Sequence, residues 1–287
     1  MDLCNINDIK SLLGRHGFHF SKSMGQNFLI ESWVPQQIAE ASGADDGYGV
    51  LEIGPGIGPL TSQLAKRASR VTAVELDRSL LPILDETMKP YPNVTIVPGD
   101  IMKLDIPELV ETYFGDTTPI ACAHLPYNIT TPVLTKLIES RQFEAITVMI
   151  QKEVALRICA QPGTADYGAF SLYCQYYTQP SFLFEVPADC FLPAPKVTSA
   201  VIRLVPREAP PVPVCDEALF FRLVKAAFAQ RRKTLLNALN AGFGSQLDKD
   251  TLRAAMEEAE LPLDIRGERL GIPEFARLAQ ALYDRLP

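Results

Sequence analysis

From Gly49 onward the chain alternates short apolar runs with stretches whose apolar positions recur every three or four residues. The runs VTAVEL (71–76), VTIVP (94–98), IACAHL (120–125) and ITVMIQ (146–151) are apolar nearly throughout, the pattern of strands buried on both faces. Between them, PLTSQLAKRA (59–68) and PVLTKLIES (132–140) carry helical spacing. Strands alternating with helices predict an α/β fold, a parallel sheet covered on both sides. SFLFEVP (181–187) and SAVIRLV (199–205) predict two more strands near the end of the same domain.

A proline cluster follows at Pro206, Pro210, Pro211 and Pro213. Such segments make poor helices and strands, so a domain boundary is expected there, dividing the chain into residues 1–205, with a helical N-terminal extension, and residues 206–287. In the second part the spacing turns helical. Leu219, Phe220, Leu223, Val224, Ala227 and Phe228 form one apolar stripe, Leu235, Leu236 and Leu239 another, and the tail from Leu247 predicts further short helices.

Composition narrows the classes. The first residues contain acids and no long apolar run, which predicts no signal peptide. No apolar run approaches the ~20 residues of a bilayer-spanning helix, so a cytoplasmic protein with no membrane association is expected. The six cysteines are scattered without a C-x-x-C pair and there are three histidines, which predicts buried reduced thiols and no metal. A net charge of −7 argues against a nucleic-acid partner, but its distribution is uneven. Between Lys196 and Asn240 eight basic residues stand against three acids, a local balance of +5 on a chain that is otherwise acidic.

The sharpest local signal is VLEIGPGIGPLT (50–61). A strand ends at Ile53, Gly54, Gly56 and Gly58 permit a tight turn, and Pro59 suits a first helical turn. Doubly wound folds bind a nucleoside at such a junction. The spacing is E-x-G-x-G-x-G, beginning at Glu52, rather than the dinucleotide fingerprint G-x-G-x-x-G, and it resembles the loop of class I methyltransferases. Glu75 closes the second strand, seventeen residues after Gly58, where an acid can accept both ribose hydroxyls. Asp100, followed by Ile101, stands after the third strand, where it can accept from an adenine amine.

At the fourth strand end stands HLPYNIT (124–130). With KSMGQNFL (22–29), LEIGPGIG (51–58), GDIM (99–102), QKEVALRI (151–158), YGAFS (167–171), FLPAPKVTSAV (191–201) and QRRKTLLNAL (230–239), the chain resembles the ribosomal RNA adenine dimethyltransferases along nearly its whole length. The resemblance implies a Rossmann-like, S-adenosylmethionine-dependent methyltransferase domain followed by a small all-helical domain. It implies dimethylation of the N6 amines of two adjacent adenosines in the 3′-terminal hairpin of 16S ribosomal RNA, on immature 30S subunits, by a monomer. Carried over by position, Asn27, Leu29, Gly54, Gly56, Glu75, Asp100, Ile101 and His124 hold the cofactor, and His124, Leu125, Pro126 and Tyr127 face the target base.

The chemistry of that last motif follows from the substrate. An adenine amine has its lone pair delocalised into the ring, and acceptors on its N–H groups draw the nitrogen toward tetrahedral geometry as a methyl arrives. Tyr127 is placed to stack on an extracted base. The family carries asparagine where this chain has His124, and an imidazole of ordinary pKa, about 6.5, changes charge near neutrality. A slower enzyme with an acidic limb in its pH profile is therefore expected. For RNA contact the candidates are Phe191 and Lys196 in the loop before the last strand, and Arg231, Arg232 and Lys233, expected to fan across the exposed side of a helix. Competing readings are the related large-subunit dimethyltransferase, a ribosome-assembly factor that methylates poorly because of His124, and a small-molecule methyltransferase. FLPAPKVTSAV and QRRKTLLNAL resemble the small-subunit branch.

Overall fold

The computed structural model describes residues 1–19 and 26–286. Lys22, Ser23, Met24 and Gly25 of the KSMGQNFL motif lie outside the described residues. In chain order the elements are α1 (Ile6–Arg15), β1 (Phe28–Leu29), α2 (Trp33–Ala41), β2 (Tyr48–Ile53), α3 (Pro59–Ala65), β3 (Arg70–Glu75), α4 (Leu81–Thr87), β4 (Val94–Pro98), α5 (Ile106–Tyr113), β5 (Thr118–His124), α6 (Thr130–Ser140) and β6 (Ile146–Gln151). They continue as α7 (Lys152–Cys159), α8 (Ala169–Tyr177), β7 (Thr178–Val186), β8 (Phe191–Leu192), β9 (Ser199–Pro206), α9 (Glu217–Ala229), α10 (Leu235–Phe243), α11 (Lys249–Glu258) and α12 (Ile272–Tyr283).

Among the described residues the main sheet has the order β4-β3-β2-β5-β6-β9-β7. The first five strands are parallel, and β9 returns antiparallel to β6. Parallel strands need crossovers, and α3, α4, α5 and α6 supply them. Burial on both faces explains the unbroken apolar runs. Val50 packs with Val34, Ile38, Leu60 and Leu64 of α2 and α3, while Leu51, next along the strand, is equally inaccessible on the other side. Each such side chain contributes roughly 1.5–3 kcal/mol when fully buried. A second cluster joins Ile9 and Leu12 of α1 to Ile83 and Leu84 of α4.

The strand order reverses at β2, whose neighbours are β3 on one side and β5 on the other. Chains leaving the carboxyl ends of β2 and β5 therefore diverge, and a crevice opens between them. A minor two-stranded sheet pairs Phe28 with Leu192 and Leu29 with Phe191, antiparallel.

The chain divides into two compact units, residues 1–155 with 180–206, and residues 156–179 with 207–287. The division at 206/207 falls in the proline-rich segment, but residues 156–179 belong with the helical unit and not with the expected 1–205 domain. The reason is burial: Tyr167, Leu172 and Tyr176 lie in the same core as Phe220, Leu239 and Phe275. Tyr176 and Tyr177 also donate their hydroxyls to Glu217 (3.2 and 2.5 Å). The expectation of buried thiols needs correction as well. Cys4, Cys122, Cys174 and Cys190 are buried, Cys159 is half-buried, and Cys215, beyond the core-packed Val212 and Val214 of the proline-rich connection, is exposed.

Candidate active site

The loop between β2 and α3 turns with φ of 70° at Gly54, 63° at Gly56 and 94° at Gly58. These left-handed angles disfavour any side chain, so the three-glycine spacing is a backbone requirement. Gly58 then serves as N-cap of α3, with Pro59 in its first turn. The path brings the Gly56 N–H onto Glu75 Oε2 (3.2 Å), across from the end of β3. Glu75 Oε1 accepts the Asp77 N–H (2.8 Å). Burial nevertheless raises the Glu75 pKa above the usual carboxylate range.

A single pocket is lined by Asn27, Leu29, Gly54, Gly56, Glu75, Asp100, Ile101, His124, Leu125, Pro126 and Tyr127. Strand ends explain the convergence. Glu75 closes β3, Asp100 follows β4, and His124 closes β5 where the Leu125 N–H still donates to the Met149 carbonyl (3.1 Å). The Ile129 N–H donates to the Pro126 carbonyl (3.1 Å), turning residues 126–129 toward α6. Asp100 Oδ1 accepts from the Met102 N–H (2.9 Å), which fixes its carboxylate.

Three features of the pocket go beyond the site residues assigned from the sequence. Gln26 Nε2 donates to Asp77 Oδ2 (2.6 Å), fastening the chain before β1 to the chain after β3. Glu52 lines the pocket while only 1% exposed, and its Oε2 has no hydrogen-bond partner among the described residues. Burial pushes its pKa up to about 8. The Tyr127 hydroxyl meets Ser199 Oγ at 2.6 Å. An acid two residues past Glu75 was a signal for the first; nothing local marks Ser199.

His124 corrects an expectation. The residue lines the pocket, yet its ring lies 5.4 Å from the Phe191 ring and 6.4 Å from the Tyr127 ring, centre to centre. Burial lowers its pKa to about 4, because an imidazolium there would lose its hydration. The imidazole is neutral from pH 6 to 8, and the expected acidic limb near neutrality has no titrating group in this ring.

The RNA-contact candidates separate. Phe191 is 2% exposed and packs in the core against the His124 ring, paired with Leu29 of β1, rather than offering an open contact surface. Lys196 is exposed in the loop before β9. Arg231, Arg232 and Lys233 do not lie on a helix: α9 stops at Ala229, Gln230 takes φ −132° and ψ 66°, and a turn follows. α10 starts afresh at Leu235, whose N–H donates to the Ile265 carbonyl (2.7 Å). Arg231 is occupied inside its unit, donating to the carbonyls of Ala165 (2.8 Å) and Tyr167 (3.1 Å) beside Glu268. Arg232 and Lys233 are exposed.

A parallel sheet with this switch point, a glycine loop opening a helix, and acids at two successive strand ends define a nucleoside-binding enzyme of the class I methyltransferase type. The ribosomal RNA adenine dimethylase family matches residues 17–261, and the chain belongs to that family of methyltransferases. It is 48% identical over 278 residues to a ribosomal RNA small subunit methyltransferase A of Shouchella clausii, covering 96% of this chain and 94% of that one. A protein of the same description from a Geobacillus strain is 45% identical, covering 98% of both chains. The fold is that of a dimethyladenosine transferase of Plasmodium falciparum (TM-score 0.77, 23% identity, 90% of this chain and 98% of that one). The 23S rRNA methyltransferase ErmE superposes with a TM-score of 0.68 at 26% identity, over 90% of this chain and all of that one.

Proposed function

We propose that the chain dimethylates the N6 amines of two adjacent adenosines in the 3′-terminal hairpin of 16S ribosomal RNA. The reaction takes place on immature 30S subunits in the cytoplasm, and the protein works as a monomer. The observation that carries the reading is the convergence of the glycine loop, Glu75, Asp100 and the His124–Tyr127 motif on one pocket. Identity of 45–48% with small-subunit enzymes, against 26% with the 23S enzyme, favours the small over the large subunit as substrate. No described helix is long and apolar enough to cross a membrane.

The residues present suit S-adenosylmethionine. Glu75 offers carboxylate oxygens to vicinal ribose hydroxyls, Asp100 an acceptor to an adenine amine, and Ile101 and Leu29 apolar walls to the ring. Glu52 Oε2, buried without a partner and protonated in the empty pocket, would be drawn to its ionised form by the positive charge of the methionine end and then accept from its amino group. The bound donor supplies an activated methyl on a sulfonium, with a neutral thioether as leaving group. On the other side, the neutral His124 ring presents one acceptor nitrogen to an amine N–H and no like charge to the sulfonium. The amine loses its proton to solvent once the fourth bond to nitrogen forms. Most of the acceleration then comes from holding nitrogen and methyl in line. His124 retains the acceptor that the asparagine of the family provides, which supports an active enzyme over an assembly factor that methylates poorly.

The test is transfer of labelled methyl from S-adenosylmethionine to unmethylated 30S and 50S subunits, by the natural protein and by His124→Asn. Dimethyladenosine in 30S RNA from both proteins is expected. Label confined to 50S subunits, or label appearing with neither, overturns the proposal.

A further inference from the structure

Tyr127 sits on the short turn 126–129, and a turn by itself leaves a tyrosine ring free to rotate about its first two side-chain bonds. The ring is half-buried and meets His124 edge-on, at 63° between planes. Its far end is fixed by the 2.6 Å contact between the phenolic oxygen and Ser199 Oγ. Ser199 is fully buried and opens β9, paired in register with Gln151 of β6. The Lys152 N–H donates to the carbonyl of Thr198, just before it (3.0 Å). One half of the pair is therefore anchored in the central sheet, and the other is carried on a loop.

We infer that Ser199 is a positioning residue for methyl transfer, its hydroxyl setting the plane of the Tyr127 ring on which the target adenine stacks. The inference rests on the adenine-dimethylating reading above. A serine suits the role because its hydroxyl both donates and accepts, so the bond survives whichever oxygen carries the proton. Burial favours the protonated phenol, holding the Tyr127 pKa above its ordinary value, so one of the two oxygens always has a hydrogen to give. Exposed Pro193, Ala194 and Lys196 precede Ser199, yet Ser199 itself is shut from solvent, as a residue in service of the pocket would be.

The experiment compares the natural protein, Ser199→Ala, Tyr127→Phe and the double variant on unmethylated 30S subunits, separating kcat from KM. Donor affinity is measured by calorimetry. Both single variants remove the same bond. Each is expected to lower kcat about tenfold, the scale of a small misplacement of reacting groups, with KM and donor affinity unchanged within about twofold. The double variant should be no slower than either single one, because the bond can be lost only once. A merely structural serine would instead lower the unfolding temperature and donor affinity and leave kcat intact. Natural kcat in Tyr127→Phe overturns the inference by itself, even should Ser199→Ala fail to fold, and so do losses that multiply in the double variant. Absence of methyl transfer by the natural protein is a different result: it removes the functional reading and this role with it.

Discussion

Glu52 gives the most direct test of the pocket's electrostatics. Its carboxyl is 1% exposed, with one oxygen lacking a partner, and its pKa is displaced from 4.5 to about 8 by burial. Below pH 4.5 the group is protonated in both folded and unfolded chains and contributes nothing to pH dependence. Between 4.5 and 8 the unfolded chain has released the proton while the folded one keeps it, so stability falls as pH rises. The slope is about 1.4 kcal/mol per pH unit, reaching about 5 kcal/mol at its full extent above pH 8. In Glu52→Gln this contribution disappears. The buried amide brings its own cost of about 1–3 kcal/mol, which shifts stability at every pH alike. The signature is therefore a difference in slope. Thermal unfolding of the cofactor-free natural protein and the variant from pH 5 to 8.5 should show the natural protein's midpoint falling relative to the variant's by about 10 °C or more. Two curves that stay parallel across this range would refute the argument that burial holds Glu52 protonated.

The ratio of methylation rates between the natural protein and His124→Asn should stay constant between pH 6 and 8, because His124 titrates only near pH 4; a limb near 6.5 present only in the natural protein would contradict this. Arg231→Ala should destabilise the helical unit by about 1–3 kcal/mol through the lost bonds to Ala165 and Tyr167, read by denaturant unfolding. Arg232→Ala should change stability by less than about 0.5 kcal/mol while weakening 30S binding and reducing its salt slope by about 1; equal effects of the two on stability would undo the distinction between them. Gly58→Ala should cost about 1–3 kcal/mol, since its φ of 94° strains any side chain and the added methyl would meet Met88. Calorimetry should show weakened donor binding alongside, and an unperturbed variant would mean the loop relaxes freely.

The parallel core was legible because strands buried on both faces leave unbroken apolar runs, and ITVMIQ matches its strand residue for residue. The convergence of Glu75 and Asp100 on one pocket was legible because a switch-point fold places strand ends together, which makes order along the chain a proxy for proximity. The two-residue strands β1 and β8 have no periodicity to detect. Helical propensity misplaced Arg231 to Lys233, since Arg231 is drawn to the carbonyls of Ala165 and Tyr167, over sixty residues away in sequence. The neutral state of His124 and the partnership of Tyr127 with Ser199 depend on packing that brings positions 72 residues apart within bonding distance. No window on the sequence contains both.

The small sheet of Phe28 and Leu29 with Phe191 and Leu192 has a thermodynamic consequence. Leu29 lines the pocket, and its rung partner Phe191 backs the ring of His124, which lines it as well. Two rungs and the Ile30 N–H bond to the Cys190 carbonyl (2.9 Å) make one short ladder of both walls. Under the proposed function, a shift of either strand carries its rung partner with it, so donor and acceptor binding would be coupled. Reciprocity then requires each to change the other's affinity by the same factor, whichever arrives first.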